Sequence, residues 1–288
     1  MAKFNRKFIL KVETVAGDHI EIASPLTLEF SVVRHNLSSA NMGSFTVYNL
    51  NEKTRNKIFK DQYDVSTFRA IQLFAGYSAE DTNSLPMVFN GNIRSAYSYR
   101  TGSNFRTDFE CYDGGHSLVN GFVSKSLPAG TPQVGIIQIL MDSLSNINEK
   151  VIGSTYTDQT KRGIVLFGNP AELLKQYTNG GFYIDSRNAY ALDKSEVIAG
   201  DVLLINSNSG LLETPKRAEA TLEVSTLFEP KLKISQLLKL ESSTTKFFSG
   251  TYKVVGVSHR GVISDSIGGE CRTTITLWAG NAFRPVVN

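Results

Sequence analysis

The side chains able to do chemistry are few, and their spacing limits what they could do. The histidines are His19, His35, His116 and His259. No two stand at the spacing of an H-E-x-x-H helix, which turns two imidazoles toward one zinc ion, so no metal site is expected. Cys111, Asp113 and His116 share the run Cys-Tyr-Asp-Gly-Gly-His, and a thiolate nucleophile needs a base and an orienter of these types. The alternative, a strand cysteine followed by a Gly-Gly turn with an exposed imidazole, is the one adopted. Asp18, Glu21, Glu29, Asp108, Glu110 and Asp113 could supply the paired carboxylates of glycoside cleavage. Strand alternation instead assigns most of them to solvent-facing positions. Gly163, Gly168, Gly180 and Gly181 form neither G-x-x-x-x-G-K-[ST] nor G-x-G-x-x-G, so no nucleotide site is read. Tyr97, Tyr99 and Phe105 interleave with Arg94, Arg100 and Arg106. That pattern fits a stacking platform for single strands, and equally a two-sided strand pair with polar outer faces, the reading adopted. No catalytic residue and no cofactor is expected.

Composition narrows the class further. A chain of 288 residues corresponds to about two domains, and 41% apolar residues are enough for packed cores. No apolar run approaches the roughly 20 residues of a membrane span, and the start Met-Ala-Lys-Phe-Asn-Arg lacks a signal-peptide pattern, so synthesis in a cytosol is expected. Thirty basic and 27 acidic side chains leave a net charge of +3, without the basic stripe of a nucleic-acid grip. Cys111 and Cys271 are read as unpaired buried thiols.

The elements that must carry these residues are mostly strands. Residues 7–50 alternate with period two, with Leu26, Leu28, Phe30 and Val32 on one face. Asn51 is a helix cap, Glu52 favours the positive helix end, and Ile58 and Phe59 supply an apolar side. Strands resume over 68–77, pass a polar loop from Ala79 to Ser84, and continue to Gly115. A linker at 126–131 precedes Thr131-Pro132, read as cap and first helical residue. Val134, Ile137, Leu140, Met141 and Leu144 then predict a helix over 132–145. Asn169-Pro170 starts another helix, which Asn179-Gly180-Gly181 stops, and Ser186-Arg187-Asn188 turns a hairpin. Residues 201–283 return to strands, with Pro230 at a corner. In the last hairpin Tyr252, Val254 and Gly256 alternate with Lys253, Val255 and Val257. After a turn holding Gly261, Gly268 and Gly269, Cys271, Thr273, Ile275 and Leu277 share a face.

These motifs resemble the baseplate hub proteins of contractile bacteriophage tails, the T4 hub-like or late-control D-like family. The first stretch carries Phe45, Val47, Tyr48, Asn49 and Leu50, then Thr54, Arg55 and Ile58. It continues with Ile71, Leu73, Ala75, Gly76, Tyr77, Phe89, Gly91 and Ile93. Leu227-Phe228-Glu229-Pro230 and the last hairpin, with His259 at the family's histidine position, resemble the second half. Ser235 stands where that family often has glycine. The resemblance implies a mainly β protein with two tail-tube-like β-barrel domains, 1–125 and 201–288, and a small α/β insert, 126–200. It implies a ring-forming homotrimer that joins a six-fold tail tube or adaptor ring to a three-fold spike, with baseplate wedge proteins outside. Tape measure protein and DNA would pass through its channel. It implies a non-enzymatic virion protein made in the host bacterial cytoplasm, with no membrane insertion. The strands 26–33, 69–77 and 250–259 are expected to be edge strands that make inter-subunit or inter-barrel contacts through Leu26, Leu28, Phe30, Val32, Ile71, Leu73, Tyr252, Val254 and His259. The alternatives are the hub of a tail-derived bacteriocin or secretion spike, a tail-associated cell-wall hydrolase, and a monomeric carbohydrate-binding β-sandwich.

Overall fold

A computed structural model describes residues 5–37, 39–77, 85–280 and 283–286. The loop expected from Ala79 to Ser84 and the side chain of His116 lie outside the described residues. The first part of the chain forms β1 (Arg6–Glu13), β2 (His19–Ala23), β3 (Leu28–His35), β4 (Met42–Tyr48), α1 (Glu52–Ile58), β5 (Ala70–Tyr77), β6 (Met87–Thr101), β7 (Asn104–Tyr112) and α2 (Gly115–Asn120). The middle forms β8 (Val123–Leu127), α3 (Gln133–Asp142), β9 (Lys150–Ile152), β10 (Ile164–Gly168), α4 (Pro170–Tyr177), β11 (Phe182–Asp185) and β12 (Asn188–Ala191). The last part forms β13 (Glu196–Ile198), β14 (Leu203–Ile205), β15 (Lys216–Ala218), β16 (Thr221–Leu227), β17 (Leu237–Leu240), β18 (Gly250–Ile263), β19 (Cys271–Trp278) and β20 (Arg284–Val286).

Helix ends follow local chemistry. The Asn51 side chain accepts from the Thr54 amide at 2.8 Å, capping α1. Asn169 does the same for Ala171 at 2.8 Å ahead of Pro170. Asn179 and Gly180 end α4 with φ of 51° and 80°. The start of α3 differs by one residue from expectation. Pro132 is itself the cap, in extended geometry, and the Thr131 hydroxyl turns back to the Pro128 carbonyl at 2.7 Å. The orphan Gln133 amide is satisfied by the Asp158 carbonyl at 2.8 Å, so no side-chain cap is needed. After β7 the expected Gly-Gly turn runs on into α2, a short helix that the sequence pattern does not announce.

Most strands enter one sheet, ordered β15-β16-β19-β18-β3-β4-β7-β6-β5-β1-β2, with β17 and β14 added beside β18. The path is open at β15 and β2, so among the described residues no ladder closes into a barrel. The expectation of two separate barrels is corrected here. β18 is long enough to pair with β17 through Gly250–Lys253 and with β3 through Gly256–Ile263, which merges both halves. A bulge between Val254 and Gly256 marks the changeover, and the Val255 carbonyl accepts from the Asn36 amide at 3.1 Å. One extra residue reverses the inward face. Tyr252 and Val254 point inward before it, and Val257 and His259 after it, so strict alternation places Gly256 wrongly.

The described residues form three apolar cores. One is built on Phe8, Phe45, Phe89 and Phe109 and also takes Phe228, Ile263 and Cys271 from the end of the chain. The second holds Val224, Leu238, Val254, Ile275 and Leu277, with Tyr183 and Tyr190 contributed by the middle segment. The third packs α3 and α4 against β11 and β12. Gly91 lies inside β6, where a Cβ would come within 2.6 Å of the Tyr112 carbonyl, so the packing admits only glycine. Ser235, at the family's glycine position, has φ of 64° and is fully buried. Left-handed geometry costs a side-chain residue about 1–2 kcal/mol, more than the ~0.4–1 kcal/mol of extra unfolded-chain entropy that glycine brings. Ser235→Gly is therefore expected to raise stability by roughly 0.5–1 kcal/mol in urea denaturation; an unchanged or lowered midpoint would contradict it.

Candidate functional site

The β3–β18 ladder is where distant parts of the sequence meet, and most of the singled-out residues lie on or beside it. Leu28 stands opposite Ile263, Phe30 opposite Gly261, Val32 opposite His259 and His35 opposite Gly256. Leu28, Phe30 and Val32 are buried in the first core, and Leu26 packs against it. Ile71 and Leu73 are buried on β5, which pairs with β1 and β6. Tyr252 and Val254 are buried in the second core. The three strands read as sheet edges are thus interior, hydrogen-bonded on both sides. Period-two alternation reveals which face of a strand is apolar; it carries no information about which edge is taken.

A buried polar clasp closes the seam. Arg34 continues the inward phase of Leu28, Phe30 and Val32, yet it is an arginine with 3% exposure. Its Nη2 donates to the Leu232 carbonyl at 2.6 Å and its Nη1 to Asp185 Oδ2 at 3.4 Å. Nη2 also lies 3.5 Å from His259 Nε2. Burial, then the neighbouring guanidinium, pull the His259 pKa well below the usual imidazole value, so the ring is neutral. Arg34 can only donate, so Nε2 accepts and Nδ1–H donates to Thr273 Oγ1 at 2.8 Å. Asn41 adds a bond from Nδ2 to the Ile184 carbonyl and accepts the His35 amide, each at 2.9 Å. Asp113 accepts the amides of Ser186 and Arg187, bracing the β11–β12 turn. Its carboxyl is pushed up to about 7, first by burial and then by Asp185, while the two amides oppose the shift.

A second buried anchor holds the middle segment to β18. Lys253 Nζ donates to the carbonyls of Asp193 at 3.1 Å, Lys194 at 3.2 Å and Glu196 at 2.5 Å, and burial pulls it down to about 8. The Glu196 carboxylate takes the amides of Ser154, Thr155 and Asp193. The sequence reading missed Arg34, Asn41, Glu196 and Lys253. The signal available was a charged residue on an apolar face, as at Arg34.

The opposite face of the sheet is polar and unbroken across the seam. Cross-strand register traces a row through Arg272, Arg260, Ser31, Ser44 and Glu110, and another through Val262, Glu29, Thr46, Asp108 and Tyr97. Its charges are largely paired. Arg94 meets Glu110 at 3.3 Å and Arg106 meets Asp108 at 2.9 Å, while Glu29 accepts the Tyr48 hydroxyl at 3.0 Å. The aromatic and arginine strand pair is part of this surface. Tyr99 donates to Asp108 at 2.9 Å, and Arg55 covers Phe105 at 3.9 Å. Glu21 pairs with Lys11 at 2.8 Å. The Cys111 thiol is buried, and burial pushes its pKa up, the reverse of what a nucleophile needs. Among the described residues no three metal-binding side chains cluster, and no helix is long and apolar enough to cross a membrane.

Comparison with known proteins follows the same outline. Residues 9–260 match the model of a family described as "Baseplate hub gp41". The fold is similar to the tail protein from Neisseria meningitidis MC58, with a TM-score of 0.64 and 10% identity over 97% of this chain and 98% of that one. It is similar to the 43 kDa tail protein of prophage MuSo2 from Shewanella oneidensis, with a TM-score of 0.60 and 10% identity over 94% and 97%. It is also similar to the E. coli c3393 protein, a type VI secretion system component described as resembling T4 bacteriophage tail proteins gp27 and gp5. There the TM-score is 0.55, with 12% identity over 96% and 79%. At such identities the likeness is one of fold. No curated protein matches.

Two measurements test the clasp. Arg34→Met strands the Asp185 carboxylate in the interior and is expected to cost about 3–5 kcal/mol in urea unfolding; a loss below ~1 kcal/mol would remove the clasp as a structural element. The raised Asp113 carboxyl contributes stability that is fully present below its ordinary value of 3.8 and is lost as pH rises through about 7. Stability of the native chain relative to Asp113→Asn should therefore fall between about pH 4 and pH 8. A difference that stays flat over that range contradicts the assignment.

Proposed function

Because the chain belongs to the baseplate hub gp41 family, we propose that it is a structural hub of a phage tail baseplate, acting as a trimeric ring with no catalytic step. The observation that carries this reading is the β3–β18 seam, which makes one subunit a fused pair of sheet halves sharing a single polar face. Three such subunits offer six similar units, which meets a six-fold tube on one side and a three-fold spike on the other. The units correspond to residues 1–125 and 201–288, with 126–200 as the outward insert. β3 and β18 act as the joint between them. The face through Ser31, Ser44, Thr46 and Asp108 lines the channel. Its hydroxyls and paired charges offer a passing polyanion little to hold, in keeping with a net charge of only +3. Tube or adaptor ring, spike and wedge proteins are the partners, and the virion tail is its place.

A second reading, the hub of a tail-derived bacteriocin or a secretion spike, is favoured by the similarity to the E. coli type VI secretion component. The test is mass by light scattering with negative-stain imaging of the same fraction. A particle of three times 31.7 kDa with a central hole is expected. A species that stays at 31.7 kDa at micromolar concentration, with or without a tube or spike partner, would overturn the ring.

A further inference from the structure

The insert carries a surface that the hub reading leaves unused. β8 and β10 form a two-stranded sheet of their own. Ser124 stands opposite Phe167 and Ser126 opposite Val165, so these four share the outer face. Phe167 is 68% exposed, Val165 67%, and Phe122, just before β8, 62%. The rings of Phe122 and Phe167 meet edge to face at 5.3 Å. Asn169 Nδ2 donates to the Leu118 carbonyl at 2.8 Å, which ties α2, with its exposed Val119, to the end of β10. Among the described residues no backbone hydrogen bond reaches the outer edge of either strand. The inner face of this ribbon packs into the third core through Val123 and Leu166, while the outer face leaves Val165 and Phe167 in solvent.

Charge identifies the occupant. Residues 119–131 and 159–168 contain Lys125, Lys161 and Arg162 and no aspartate or glutamate. Lys161 and Arg162, just before β10, are exposed and make no ion pair among the described residues. We propose that the outer edge of β10 takes up an extended segment of a partner protein, alternating apolar and acidic residues, as a third strand. Its backbone fills the open donors and acceptors of the edge, its apolar side chains pack on Val165 and Phe167, and its carboxylates meet Lys161 and Arg162. A lipid surface leaves the strand edge unsatisfied. A second copy of the chain brings like charges together.

The full chain is titrated with two labelled peptides, one repeating Val-Glu and one repeating Val-Lys, by fluorescence anisotropy, and with anionic phosphatidylglycerol vesicles by sedimentation. The Val-Glu peptide is expected to bind at least about tenfold more tightly than Val-Lys, with affinity falling as salt rises. Hydrogen exchange should show new protection in β10 and none in α3. Phe122→Ser/Phe167→Ser should abolish binding and leave the thermal midpoint unchanged, because both rings are mostly exposed. Equal binding of the two peptides, binding of neither, or vesicle binding without peptide binding overturns the proposal. So does self-association that the double variant abolishes.

Discussion

Eight residue pairs between β3 and β18 hold the two ends of the chain in one sheet, and the other features depend on that ladder. It sets the polar rows running from β19 to β7, because rows exist only where register is continuous. It lets Phe228, Ile263 and Cys271 enter a core otherwise built from the first part of the chain. It also brings Arg34 within reach of Leu232 and His259. The bulge at Val255 is what allows one strand to serve two partners, since the extra residue turns Tyr252 and Val254 into the second core and His259 toward the seam.

The clasp under the seam is an unusual way to join cores. Apolar packing alone would be as stable or more so, since buried ion pairs rarely repay their desolvation. What the polar groups add is direction. Arg34, Asn41 and Asp113 each bind backbone groups of a segment remote in the chain, namely Leu232, Ile184 and the Ser186-Arg187 turn. An apolar interface tolerates sliding, whereas these bonds are satisfied in one arrangement. Lys253 and Glu196 repeat the device at the other end of the insert. Such joints hold the two halves of the sheet in one fixed arrangement.

The two faces of the sheet divide the labour. The inner face carries the stabilising burial, about 1.5–3 kcal/mol for each large apolar side chain. The outer face carries almost none and is free to be hydroxyl-rich and charge-balanced. This separation explains why the histidines, carboxylates and cysteines look scattered along the chain. Cys111 is core, Asp108 and Glu110 are on the outer face, and His259 and Asp113 are buried in polar joints. Among the described residues, these groups are not brought to a shared reaction centre.

By itself the amino-acid sequence determined the mainly β class, the caps at Asn51 and Asn169, the stop at Asn179-Gly180, the last hairpin and the hub family. Each rests on residues close together in the chain, where backbone geometry and period-two alternation act directly. It also flagged Ser235, whose left-handed backbone the fold then required. The tertiary structure decided that β3, β5 and β18 are interior strands, that the sheet formed by the described residues stays open, and that Arg34 and Lys253 are buried. Those outcomes depend on which distant edges pair and on one inserted residue at Val255. Hydrophobic pattern gives the faces of a strand, but backbone donors and acceptors are alike in every residue, so the choice of partner is written only in the packed whole.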